Sequence, residues 1–595
     1  MQALQYPFDS EALLRHRKKL RRQLLADGTR RIEKKIAVLG GSTTADICSM
    51  LELFLLDEGI APTFYESEYA QYWQDAMFPN PKLEAFAPDV IVIHTTNRNL
   101  PAFSQDLTLS PAACDAAVEE AYQHFAGMWE RLSTVYHCPI VQNNFELPSY
   151  RLLGNADASD VHGLTRCITR LNEKFYQYAE AHRDFYIHDL LSLSASYGLD
   201  AWADPAYWYL YKYAMAMPAI PVFAHSLSRI LKAMFGRNRK VLALDLDNTL
   251  WGGVIGDDGQ AGIEIGHENA VAEAYTAFQQ YLKALQARGV LLTVCSKNEP
   301  ENALLGLRHP DSILHPEDFV SIMANWNPKS ENLQQMAEAL QLLPESFVFV
   351  DDNPAERAIV RGQLPQTAVP ELTTPEQYIR VLDRNGYFEM TAFSADDAAR
   401  TEMYRANAAR AAQAKQFPDY AAYLRSLEMV AQIGDFTPVS LPRITQLTNK
   451  SNQFNLTTRR YTESEMQEVL ASDTHVRLCG RLRDTFGDNG IVSVVIGEVQ
   501  GEILTVQLWL MSCRVLKRDM ELAMLDALVC ACKRRGIGRI RGIYLPTAKN
   551  GMVRELYGSL GFTKTESDPD GRSVWALETA GYTPRNHVIR VEETR

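Results

Sequence analysis

Short apolar runs that stop at glycine or at a polar cluster recur through the first two thirds of the chain. Residues 36–40, 90–94 and 139–143 are too short for helices and too evenly apolar for half-exposed strands. With helical patterns between them, they predict a parallel, doubly wound sheet in a first domain spanning residues 1–235. A basic connector leads to a second series of buried strands at 241–246, 290–295 and 346–350, predicting another α/β unit over 239–385. Each strand of this series ends at a polar motif, the place where open α/β sheets put their ligands. An alanine-rich stretch from Ser394 to Ala414 predicts a helical connector within 390–430. The last domain, 431–585, carries strands at 491–496, 504–510 and 540–544 and a helix from Asp519 to Arg534.

The totals sharpen this picture. A chain of 595 residues exceeds one hydrophobic core, and 46% hydrophobic with 22% charged residues describes globular domains. A net charge of −13 argues against a general nucleic-acid binder, which needs a basic face toward phosphates. No run of ~18 apolar residues is present, so no membrane span is expected. Nine cysteines without a paired framework read as reduced thiols, which points to the cytoplasm. Near the start, Arg15, Lys18, Lys19 and Arg22 read as the solvated face of a helix capped by Ser10.

The candidate chemistry sits where the second series of strands ends. Asp245 and Asp247, two residues apart after a strand, can share a pocket, one attacking phosphorus while the other handles the leaving-group proton. Ser296 follows the next strand with a hydroxyl for a phosphoryl oxygen, and Lys329 offers a cation for the added charge. Asp351 and Asp352 end a third strand as a carboxylate pair suited to a hard cation.

These elements, in this order, resemble the four motifs of the haloacid-dehalogenase (HAD) superfamily. More narrowly, residues 245–259 (DLDNTLWGGVIGDDG), 295–298 (CSKN) and 349–357 (FVDDNPAER) resemble the FkbH-like branch. The resemblance implies an aspartyl-phosphate enzyme using Mg²⁺. Asp245 is then nucleophile and metal ligand, and Asp247 the general acid/base whose carbonyl also meets the metal. Asp351 and Asp352 complete the metal site, while Thr249, Ser296 and Lys329 hold the phosphoryl group. Only a short flap, about 251–265, separates the first motif from the next helix, so no large cap is expected. FkbH-like proteins take a glyceryl unit from 1,3-bisphosphoglycerate, an acyl phosphate, and load it as a thioester onto a phosphopantetheinylated acyl carrier protein for polyketide-type biosynthesis. Cys295 is the implied transient acyl holder, with Cys513 as a second candidate. The other readings of the same site are a small-molecule phosphatase with two scaffold domains and a non-catalytic scaffold.

The flanking domains resemble known folds as well. Gly40-Gly41-Ser42 after a strand, with Asn97 after another, resembles SGNH hydrolases. The expected Asp-x-x-His is replaced by Asp204 with no histidine nearby, and Asp160-x-His162 has the wrong spacing, so a silent binding domain is expected. The last domain resembles a GNAT acyltransferase, an α+β fold whose strand–loop–helix binds the coenzyme A pyrophosphate. Here Lys517, Arg518 and Asp519 stand where glycines are expected. Between 505 and 545, eight basic residues face three acidic ones, so Arg514, Lys517, Arg518, Arg534 and Arg535 form an expected docking patch for an acidic carrier.

Overall fold

The computed structural model describes residues 1–100, 107–391, 393, 395–414, 416–547 and 549–593; Ser394, the expected start of the connector, lies outside them. The chain forms two compact units, one of residues 1–237 with Thr462–Glu465, the other of residues 238–461 and 466 onward.

In the first unit, β1 (Ile32–Gly40), β2 (Ile60–Glu66), β3 (Val90–His94), β4 (Ile140–Asn143) and β5 (Phe185–His188) form a parallel sheet in the order β2-β1-β3-β4-β5. Alternation divides its side chains between two cores. Ile36, Val38, Val90 and Val92 pack with helices Ala45–Asp57 and Ile220–Met234, while Ala37, Leu39, Ile91 and Ile93 pack with Pro111–Tyr136 and Leu164–Ala181. β2 escapes the apolar-run pattern because it is only partly buried. The first helix is Ser10–Ala26, and its cap is Asp9, not Ser10: the Asp9 carboxylate accepts from the Ala12 amide at 3.0 Å. Leu13, Leu20 and Leu24 face inward, leaving the basic residues in solvent.

The second unit holds two sheets. The first is parallel, with β6 (Val241–Leu244), β7 (Leu291–Ser296), β8 (Phe319–Ala324) and β9 (Phe347–Val350) in the order β8-β7-β6-β9. Leu244 lies level with Val294 on one side and Val350 on the other, so the residues that follow emerge together at one edge. The second is a mixed sheet of β10 (Val430–Gly434), β11 (His475–Asp484), β12 (Gly487–Gln500), β13 (Ile503–Met511), β14 (Arg539–Tyr544), β15 (Thr563–Ser567), β16 (Ser573–Glu578) and β17 (Arg590–Glu593). Its order is β15-β16-β14-β13-β12-β11-β10-β17. The expected second and third domains therefore share one unit. The connector helix Arg400–Ala414 ties them: Tyr404 is buried against the rear face of the parallel sheet, and Arg410 pairs with Asp484 of β11 at 2.7 Å. Among the described residues no helix is long and apolar enough to cross a membrane.

Candidate active site

Asp245 leaves β6 with its amide bonded to the Val350 carbonyl at 2.9 Å, which sets it beside Asp351. Lys329, the first residue of helix Lys329–Ala339, lies between them. Its Nζ is 2.7 Å from Asp245 Oδ2 and 2.6 Å from Asp351 Oδ2, with all three side chains almost fully buried. Burial pushes the Asp351 carboxyl up to about 6, and the Asp245 charge adds to it. Burial opposes the Lys329 charge, but Asp245 and Asp351 outweigh it and hold the ammonium above its ordinary value.

Oxygen atoms of Asp245, Asp351 and Asp352 lie within 4.8 Å of one another. Three carboxylates against one ammonium leave two negative charges uncompensated, which fits an oxygen-seeking divalent cation. Supporting contacts hold the cluster open. Arg357 Nη1 donates to the carbonyls of Asp351 and Asp352 at 2.8 and 2.7 Å, and Asn353 N donates to Asp351 Oδ1 at 2.9 Å. Thr249, buried, accepts from the Asp352 amide at 3.2 Å, which ties the loop after β6 to the loop after β9.

Asp247 is held on both oxygens. Trp251 Nε1 and the Ile255 amide donate to Oδ1 at 2.9 and 3.0 Å, and Asn298 Nδ2 donates to Oδ2 at 3.0 Å. Burial raises its pKa, the direction that suits a group able to carry a proton. Asn298 has no place among the residues expected from the motifs; its signal was its position two residues after Ser296, on the same loop. Over the site, residues 251–265 fold into a small flap with a short helix, Ile255–Asp258, closed by paired hydrogen bonds between Gly252 and Glu264. Three carboxylates around one fixed ammonium, beside a fourth carboxyl whose pKa burial raises, can hold a divalent cation and a phosphoryl group.

Three expectations change. Cys295 and Ser296 end β7 on opposite faces. Ser296 is buried at the strand end, whereas Cys295 points into the rear core with Leu291, Val241 and Phe349. Its thiol donates to the Lys329 carbonyl at 3.6 Å, and burial drives its pKa far up. Sealed in that core, the thiol is not placed to meet an acyl donor, which goes against the acyl-holder role expected of Cys295. Arg514 and Arg518 are also buried, Arg518 against Asp484 at 3.2 Å, and do not belong to a docking surface. Lys517, Arg534 and Arg535 stay exposed, though Arg535 is tied to the carbonyls of Asp473 and His475. Cys513 lies beside the Tyr404 hydroxyl at 3.7 Å.

In the first unit, Ser42 is buried and its hydroxyl meets no hydrogen-bond partner among the described residues. Asn97 spends its amide on the carbonyls of Glu146 and Leu147 at 3.5 and 3.4 Å. Asp204 caps helix Pro205–Tyr211, and His162 is held by Asp160 and the Leu109 carbonyl. The structure brings none of these together into a triad.

Residues 35–232 match the family described as FkbH, N-terminal domain. The N-terminal part of protein BF1531 from Bacteroides fragilis, containing a phosphatase domain and solved with Mg, is 28% identical. That match covers 63% of this chain and 99% of that one, with a TM-score of 0.59. The ribosomal-protein-S18-alanine N-acetyltransferase from Escherichia coli aligns at 16% identity over 27% of this chain and 99% of its own, with a TM-score of 0.21. A GNAT-family acetyltransferase from Streptococcus pneumoniae aligns at 16% over 25% and 98%, also with a TM-score of 0.21. No curated protein matches the chain. The chain is thus similar to FkbH-type proteins in its first domain and, over nearly two thirds of its length, to a phosphatase-containing protein.

Proposed function

We propose that the second unit is a Mg²⁺-dependent, HAD-type phosphoryl-transfer enzyme that acts on a glyceryl phosphate donor such as 1,3-bisphosphoglycerate and delivers the acyl unit to an acyl carrier protein. The observation that carries the reading is Lys329 bridging Asp245 and Asp351 in a buried cluster that still lacks two positive charges. Asp245, Asp351, Asp352 and the Asp247 carbonyl would hold the metal, as the resemblance implies. Bound there, Mg²⁺ would neutralise the carboxylates and screen the phosphoryl oxygens from them.

An Asp245 oxygen attacks the phosphate ester, the bond from phosphorus to the leaving oxygen breaks, and Asp247 gives that oxygen its proton. Asp247 then takes a proton from water, which attacks the same phosphorus; phosphate departs and the Asp245 carboxylate returns. Ser296 and Lys329 hold the oxygens on which charge grows. The acyl phosphate bond breaks separately. The carrier's phosphopantetheine thiol attacks the acyl carbon, the carbon–oxygen bond to phosphate breaks, and the departing phosphate carries off the thiol proton, so the thioester forms without Cys295.

A second reading has its own support. A plain small-molecule phosphatase would use the same carboxylate cluster and needs no acyl-holding thiol, and the buried Cys295 offers none. Incubation with Mg²⁺, 1,3-bisphosphoglycerate and a holo-carrier, followed by intact mass of the carrier, separates the two. A glyceryl adduct supports loading. Phosphate release with an unmodified carrier leaves the phosphatase, and no phosphate release with any glyceryl phosphate removes both.

A further inference from the structure

The mixed sheet of the second unit has a seam that its strand order alone does not reveal. β13 and β14 run parallel but pair over three positions only, Ile503 with Arg539, Leu504 with Ile540 and Thr505 with Arg541. Beyond Thr505 they part. Two diverging strands present unpaired amides and carbonyls to the gap, and an extended chain of amides can fill such a gap by strand addition. In the GNAT-type fold that this domain resembles, the strand before the gap leads into the loop that meets coenzyme A.

Here the gap is already filled. Residues 454–456 enter it antiparallel to β13, with Asn455 level with Leu510. Leu456 N donates to the Trp509 carbonyl and Met511 N to the Phe454 carbonyl, both at 3.0 Å; on the far side, Leu545 N donates to the Leu456 carbonyl at 2.9 Å. Side chains complete the seal. Thr457 Oγ1 donates to the Gln507 carbonyl at 2.7 Å, and Asn550 Nδ2 to the Asn455 carbonyl at 2.9 Å. Phe454, Asn455 and Leu456 are 5%, 0% and 0% exposed, so the segment belongs to the core.

The loop after β13 is altered independently. Lys517 and Asp519 sit at φ 61° and 59°, the left-handed region that side chains adopt at a cost and glycine adopts freely. Asp519 occupies the N-cap position of helix Met520–Arg534 without a side-chain capping hydrogen bond, and Glu521 lies in the first turn, so two acidic residues stand at a helix end that would otherwise attract a pyrophosphate.

We infer that residues 454–456 are a permanent internal strand standing in for the extended ligand, and that this domain works without coenzyme A. This goes beyond the proposed phosphoryl transfer, which uses a different sheet and stands or falls separately. Amide hydrogen exchange on the whole protein tests it first. The amides of Leu456, Met511 and Leu545 should be protected to within roughly tenfold of those in β12, as a core strand is. Exchange of Leu456 a thousandfold faster than β12 would mark a displaceable lid and overturn the inference. Titration with coenzyme A and with acetyl-coenzyme A should show no saturable binding to about 1 mM, and micromolar binding to the wild-type chain would also overturn it. Lys517→Gly with Asp519→Gly, which relieves the loop and leaves the seal intact, should still not bind. Binding gained by that variant would place the block in the loop rather than in the seam and refute the role given to 454–456.

Discussion

Both parallel sheets in this protein end in polar loops, yet the two ends are chemically unlike. In the first unit the strand-end amides satisfy one another, while Ser42 Oγ, His94 Nε2 and one Glu146 oxygen are buried without a partner among the described residues. Asn143 exchanges hydrogen bonds with the Thr95 backbone at 2.6 and 3.0 Å, and Gln142 links Trp129 to Thr95 at 3.1 Å on each side. Asn144 reaches Asp189 at 2.7 Å. Neutral amides spend their capacity on neighbours and leave little for a ligand. At the ends of β6 and β9 the polar groups are instead carboxylates, crowded within 4.8 Å and answered by one lysine. Polarity at a strand end is therefore not enough to make a site; uncompensated charge held in place makes one.

Breaking the charged end should have the largest effect. Asp245→Asn keeps the shape but removes the proposed nucleophile and one carboxylate oxygen of the cluster that could hold a metal. Phosphate release should fall by at least about a thousandfold, roughly 4 kcal/mol of barrier. The fold should survive, because one negative charge leaves a crowded cluster. Steady-state phosphate release beside circular dichroism checks both; activity near wild type in a folded variant removes Asp245 from the mechanism.

A smaller effect is expected from Asn298, which donates to Asp247 Oδ2 at 3.0 Å and is expected to act by positioning it. Asn298→Ala leaves Asp247 held at Oδ1 by Trp251 and Ile255. kcat should fall about tenfold to thirtyfold with KM nearly unchanged, on the order of 2 kcal/mol. The limb of the pH profile that reports the proton-bearing carboxyl should move as well. An unmoved profile would reduce Asn298 to a loop support.

The neutral end has its own signature, in acid. Burial holds His94 down to about 4 and His188 and His225 down to about 3. His94 faces Asn143, Phe223 and His188; Arg229 disfavours charge on His188 and His225, and Lys232 and Glu58 lie by His225. Their folded values lie below the ordinary 6.5 of the unfolded chain. Their stabilising contribution is therefore complete above pH 6.5 and is lost as pH falls from there toward 4. Thermal scans of the first unit's transition should move down by several degrees between pH 7 and pH 5. A midpoint that holds across that range contradicts neutral histidines.

Much of this contrast was legible from residues alone. Strands β3, β6, β7 and β9 and the four motifs stand out because a fully buried parallel strand is a continuous apolar run, and because each motif follows one. β2 and the antiparallel strands around β11 hid, since partial burial breaks the run. Which residues face the site was legible only where alternation decides it: Cys295 and Ser296 are neighbours in sequence, but a strand sends them to opposite faces. Arg518 is buried against Asp484 and Arg514 against Met403 of the connector helix, both distant in the chain, so no local pattern announces it.

The smallest effect is the most direct test of the comparison. Ser42 lies at the switch point between β1 and β3, where a doubly wound sheet would place a ligand, and its loop looks like that of a serine hydrolase. Its hydroxyl, however, is buried without a partner among the described residues, Asn97 is turned to backbone carbonyls, and Asp204 serves a helix. Removing a buried hydroxyl that bonds to nothing also removes its desolvation cost. Ser42→Ala should therefore leave phosphate release within about threefold of wild type, under roughly 0.7 kcal/mol, and the first unit's melting midpoint unchanged or slightly higher. A fluorophosphonate probe for activated serines should label neither protein. A hundredfold loss of activity, or labelling of the wild type at Ser42, would show that this end of the molecule does chemistry after all, and that mutual hydrogen bonding among strand-end amides does not silence a site.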